Sequence, residues 1–166
     1  APAAKADVSR LPTGAQLIAE AAHAAGVEAN VALAIAHHET GGKFNSDAKN
    51  PGSSAHGIGQ VTDSTWQQFH GGNRSDPKEQ ARVSVAVIKD YREKAAQTLG
   101  REPTAGETYL AYQWGLGGFA KAMKDPSARV EAVIGEEAAR LNKWTGKTVQ
   151  EAVAQPNNRF DKLTNL

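Results

Sequence analysis

Glu39 is the residue of this chain best placed to move a proton. Val31, Ile35 and Glu39 are spaced four apart, so on a helix they share one face, and that apolar face ends in a carboxyl group. The helix macrodipole disfavours negative charge at a C-terminus, and partial burial penalises it further. Both effects predict a raised pKa, the property that a general acid working near neutral pH requires. The plainer alternative is a solvated glutamate on a fraying last turn.

Two later segments carry groups that suit a binding cleft. The run His56-Gly57-Ile58-Gly59-Gln60-Val61 places glycines on both sides of one residue, which lets a backbone approach a ligand closely. Gln60 adds a donor and an acceptor, a pairing suited to the amides and hydroxyls of sugars. In Tyr109-Leu110-Ala111-Tyr112-Gln113-Trp114-Gly115, Tyr112 offers a phenol to the same cleft, or else Tyr112 and Trp114 are core residues with satisfied polar tips. His37 and His38 are adjacent, so on a helix they point about 100° apart and make no metal pair. With no His-Glu-x-x-His run and no cysteine, neither a metal site nor a cofactor is predicted. His38 reads as a packed residue beside Glu39, and His56 and His70 as solvated loop residues.

The elements that must hold these groups are helices. Thr13 is the expected cap of a helix to about Ala25, with Leu17, Ile18, Ala21, Ala22 and Ala25 as its apolar stripe and Gly26 as its stop. A second helix is expected from about Glu28 to Glu39, stopped by Gly41-Gly42. Residues 40–63 read as loop, dense in Gly, Ser, Asn, Pro and Asp. Asp63 or Ser64 is the expected cap of a short helix carrying Trp66 and Phe69. Pro77 suits the first position of a long helix to Leu99, with Val83, Val87, Ile88 and Tyr91 inward and Gly100 ending it. Thr104 caps a helix reaching Trp114; Gly115, Gly117 and Gly118 then interrupt the chain before a short helix with Phe119 and Met123. Further helical pieces are expected near Ala128–Leu141 and Thr148–Ala154. No strand pattern and no internal repeat is visible. The Lys and Arg residues of 74–101 alternate with acids and read as a solvated face.

Composition agrees with this outline. A chain of 166 residues, 40% hydrophobic but only 6% aromatic, suits small apolar residues on close-packed helices in a single domain. Residues 1–12 read as a flexible Ala- and Pro-rich arm, 13–155 as the folded domain and 156–166 as a loosely packed tail. With 19 basic and 18 acidic residues, net charge +1, no nucleic-acid partner and no attraction to anionic lipid is expected. No apolar run approaches the roughly 20 residues of a membrane helix, and APAAKADVSR lacks the apolar stretch of a signal peptide. No membrane insertion is expected.

Taken in order, the three segments resemble the soluble lytic transglycosylases and the related goose-type lysozymes. His38-Glu39-Thr40 before Gly41-Gly42 stands where that family has Glu-Ser at a helix end. Gly57-Ile58-Gly59-Gln60, continued by Val61-Thr62 to Trp66, stands for its Gly-x-x-Gln, and Ala111-Tyr112-Gln113-Trp114-Gly115 for its Ala-Tyr-Asn-x-Gly. Asp76-Pro77 through Tyr91 is similar to its connecting helix. The resemblance spans Thr13 to Met123. It departs at Thr40 (Ser in the family), at Gln113 (Asn) and at Trp114 (a smaller residue), and the Gly-Leu-Gly-Gly run from Gly115 resembles phage particle-borne forms.

The resemblance implies a mainly α, lysozyme-like single domain, catalytic over residues 13–155. It would act on peptidoglycan glycan strands, between N-acetylmuramic acid and N-acetylglucosamine. Glu39 would be the single acid and base, without cofactor or metal. Gln60, Tyr112, Gly57, Ile58, Gly59, Gln113 and Thr40 would contact the substrate. The product would be a 1,6-anhydromuramoyl end. Two other readings stay open: a hydrolytic muramidase recruiting Asp47 or Asp63, and a non-catalytic glycan-binding or virion-structural module. A monomer acting on the bacterial cell wall, in the periplasm or outside, is expected. Its setting is either a phage (endolysin or virion) or a bacterial export route.

Overall fold

The computed structural model describes residues 9–154, so the expected arm is covered only from Ser9 and the expected tail at 156–166 lies outside the described residues. Among them the chain is helical and has no strand: α1 (Thr13–Ala25), α2 (Ala29–Thr40), α3 (Asp63–Gln68), α4 (Pro77–Leu99), α5 (Ala105–Met123), α6 (Val130–Ile134), α7 (Glu136–Leu141) and α8 (Val149–Ala154). Isolated bridges join Lys49 to His56, His56 to Val61 and Arg129 to Thr148. The mainly α class expected from the sequence holds. The chain forms two compact units, one taking residues up to Lys89 and the other beginning at Asp90.

In the first unit α1 packs on α2. Gly26, left-handed at φ 73°, ends α1 by donating its N–H to the Ala22 and His23 carbonyls. Two expectations for α1 are corrected. The cap position falls on Pro12, with no side-chain cap bond, and Thr13 is already helical. The buried face is Ala15, Ile18, Ala19 and Ala22, while Leu17, Ala21 and Ala25 are half-buried. Gly14 lets this part of α1 approach the loop after α2 closely, since a Cβ there would lie 2.1 Å from the Phe44 carbonyl oxygen. The N-terminus of α4 is as expected, with Pro77 first and Asp76 Oδ1 accepting the Lys78 N–H at 3.0 Å. Val83, Val87 and Ile88 are buried on its inner side, joined by Gln80 and Ser84.

In the second unit α5 packs on α6 and α8, and α6 on α7. Its core gathers Ala95, Leu110, Ala111, Phe119, Val130, Ala139, Trp144 and Ala152. Thr104 caps α5 in a complete capping box with Glu107. Glu107, 5% exposed, also receives both Arg101 guanidinium nitrogens, Nη1 and Nη2, at 2.8 Å each. Of the three glycines expected to interrupt the chain only Gly115 does so, at φ 74° and ψ 162°; Gly117 and Gly118 are helical. The single piece expected over 128–141 is two helices, because Gly135 breaks it at φ 97° and ψ 153°.

Candidate functional site

Helix α2 buries Val31, Ala32, Leu33, Ile35 and Ala36, and Glu39, one turn beyond Ile35, is half-buried at the end of that face. The packed histidine at this end of α2 is His37, not His38 as the sequence suggested. His37 is half-buried and meets Phe44 edge-on at 6.0 Å, whereas His38 is exposed. Gly42 permits this, since a Cβ there would come within 2.8 Å of His37 Nε2.

Thr40 closes the helix. Its Oγ1 donates to the Ala36 carbonyl at 2.8 Å and accepts the Phe44 N–H at 2.9 Å. The hydroxyl's one proton is therefore used within the chain, and Thr40 ties the start of the following loop to the end of α2.

The loop folds into a knot of main-chain bonds: Asn50 N–H to the Ala55 carbonyl, His56 N–H to Val61 and Gly57 N–H to Ala48. The two glycines approach α4 rather than open space. A Cβ on Gly57 would stand 2.4 Å from Gln80 Oε1, and one on Gly59 would stand 1.8 Å from Ser84 Oγ. Ile58 between them is fully buried, its side chain packed within the protein. Gln60 holds φ 51°, and its Nε2 donates to the Ala48 and Gly57 carbonyls at 3.1 and 2.9 Å. Both amide protons are thus committed, and the acceptor Oε1 is the atom through which Gln60 would meet a ligand.

Two residues that bond to this loop from outside it were missed in the sequence. Gln80, 3% exposed, accepts the Ile58 N–H and donates to the Ser46 and Arg74 carbonyls. Arg74 donates to Asp63 at 2.6 Å and to the Ser54 and Val61 carbonyls, and its guanidinium lies 5.1 Å over Trp66. The one local signal for Gln80 was a polar pair, Gln80 and Ser84, spaced i, i+4 within a buried apolar stretch. Arg74 corrects the solvated-face reading at that position. It also removes Asp63 from the capping role, because Thr62 holds the cap position of α3 and the Asp63 carboxylate pairs with Arg74. Asp47 is exposed in an Asn45-centred turn.

The second unit holds the other predicted residues. Tyr112 is half-buried with its ring tilted on Tyr91 at 5.1 Å. Trp114 meets Trp144 edge-to-face at 5.6 Å. Gln113 Nε2 and Trp114 Nε1 are buried donors without a hydrogen-bond partner among the described residues. Among the described residues no group of three His, Cys, Asp or Glu side chains could hold a metal, and no helix is long and apolar enough to cross a membrane.

The family profile of the transglycosylase SLT domain matches residues 9–146. The chain belongs to that family, and it is a peptidoglycan-degrading enzyme of the lytic transglycosylase type that acts on the bacterial cell wall. No curated protein matches it.

Proposed function

We propose that this enzyme cleaves the bond between N-acetylmuramic acid and N-acetylglucosamine without water, using Glu39 alone as acid and then base. The observation that carries this is Glu39, a half-buried residue at the end of the buried Val31–Ile35 face. Protonated Glu39 gives its proton to the glycosidic oxygen as the bond from muramoyl C1 breaks. The substrate's acetamido carbonyl stabilises the cationic C1. Ionised Glu39 then takes the proton of the C6 hydroxyl while that oxygen bonds to C1, closing a 1,6-anhydro ring and restoring the acid.

A hydrolase would need a second carboxylate to activate water. Of the two loop acids considered for that role, Asp63 is paired with Arg74 and Asp47 lies exposed in its turn. Gln60 would accept from a substrate N–H or O–H through Oε1, and Tyr112 and Gln113 would contribute polar groups from the third motif. Thr40, Gly57, Ile58 and Gly59 would act through the shape of the loop. In this reading residues 13–155 form the catalytic domain and the enzyme works as a monomer. A phage-borne setting is supported only by the Gly-Leu-Gly-Gly run.

Digestion of purified sacculi followed by mass analysis of the released muropeptides tests the chemistry. Anhydromuramoyl ends are expected. Products that all carry reducing ends, each heavier by one water, would replace this reading with a muramidase.

A further inference from the structure

We propose that Gln80 is a positioning residue for the reaction, holding the Gly57–Gln60 turn in register with the end of α2 that carries Glu39. The proposal rests on the reading of Glu39 given above.

One buried amide ties together three separate stretches of main chain. Gln80 Oε1 accepts the Ile58 N–H at 3.1 Å. Its Nε2 donates to the Ser46 carbonyl at 3.1 Å and to the Arg74 carbonyl at 2.7 Å. Ser46 is 34 residues away in sequence and Ile58 is 22 away. The loop is shaped to receive this group, since Gly57 has no Cβ where one would strike Oε1. One turn along α4, Ser84 Oγ donates to the Gln80 carbonyl at 2.7 Å and fills the space under Gly59.

An apolar side chain of equal volume would fill the same space. It would leave the buried Ile58 N–H and two carbonyls unpaired, a cost that a polar group avoids only when it is fully satisfied. What Gln80 adds over packing is therefore register. The segment it holds is bounded by two non-glycine residues in the left-handed region, Phe44 at φ 50° and Gln60 at φ 51°. Such conformations persist where surrounding contacts over-determine them. From Ser46 the connection back to the catalytic helix is short, because Phe44 N–H is held by Thr40 Oγ1 beside Glu39. At the other end, Gln60 points where it does because its amide is bonded to the Gly57 carbonyl.

Two variants test the proposal, Gln80→Met and Gln80→Glu, each assayed on purified sacculi at a temperature where circular dichroism shows it folded. Gln80→Met keeps the volume and deletes all three bonds. Its kcat should fall by about tenfold or more, as small misplacements near a reacting centre do, with KM changed far less. Amide exchange at Ile58 should quicken while exchange at Glu107, in the other unit, stays native. Gln80→Glu keeps the acceptor but sets a carboxylate against two carbonyls. Protonation restores one donor, so its kcat relative to the native enzyme should rise as pH falls. Native-like kcat in folded Gln80→Met would overturn the proposal. If Gln80→Met does not fold, a Gln80→Glu ratio that is flat with pH overturns it instead. Should the native protein release no muropeptide at all, the Glu39 reading fails. Exchange at Ile58 in Gln80→Met then decides alone whether Gln80 holds the turn, and native protection there overturns the clamp.

Discussion

The placement of Glu39 at the end of a buried helix face was legible because it depends on one period. Val31, Ile35 and Glu39 fall four apart, and any helix that spans all three puts them on one face. Replacing the carboxyl with an amide removes proton transfer and little else. Glu39→Gln should therefore keep its circular dichroism spectrum and lose about 10²–10⁴-fold in turnover. A folded variant that still clears cell walls at about a tenth of the native rate would remove Glu39 from the acid role.

The glycines were legible as positions of close approach, but what approaches them was not. Their partners, Gln80 and Ser84, lie more than twenty residues downstream and look locally like part of an apolar helix. The contact makes its own test. Gly59→Ala should destabilise by about 1–3 kcal/mol, since its Cβ would overlap Ser84 Oγ. Adding Ser84→Gly should recover part of that loss beyond the sum of the single changes, a coupling read from a double-mutant cycle in urea. Strict additivity would mean that the two residues do not share the space.

Helix boundaries divide by whether their signal is local. The Thr104–Glu107 box lies within four residues, and the sequence reading of that cap holds. Asp63 looked equally suited to capping α3, yet its carboxylate is taken by Arg74, eleven residues on. No local rule weighs that competitor. The same limit applies to Gly115, Gly117 and Gly118, which read alike as breakers. Only Gly115 adopts a backbone that other residues reach at high cost, φ 74° with ψ 162°. Gly115→Ala should thus cost about 1–3 kcal/mol. Gly117→Ala, helical and with nothing within 4 Å of a new Cβ, should be neutral or stabilise by up to about 1 kcal/mol. Urea midpoints of the two variants should move in opposite directions or by clearly unequal amounts; equal losses would mean that the kink does not depend on glycine.

For the whole molecule, composition was enough to indicate a helical chain with no large excess of charge. The division into two units left no mark in the sequence, because it falls after Lys89, inside the unbroken 23 residues of α4. Among the described residues, each unit has a carboxylate whose pKa is lowered, Glu79 in the first and Glu107 in the second. In the second, hydrogen bonds from Arg101 lower the Glu107 pKa from 4.5 against the opposing effect of burial, with the Thr104 N–H assisting. In the first, Arg82 does the same for Glu79, again against burial, aided by the Gly72 N–H. With native pKa values depressed, the unfolded chain binds more protons than the folded one as acid is added. The stabilisation from both groups is therefore complete above about pH 4.5 and is lost as pH falls through their native values. Acid should lower the urea midpoint steadily below about pH 4.5, where between about pH 5 and 7 these two groups contribute no slope. Glu107→Gln, which cannot ionise, should start from a lower midpoint at neutral pH and decline less steeply in acid. Parallel declines for the native protein and Glu107→Gln would show that the Arg101–Glu107 pair does not govern acid stability.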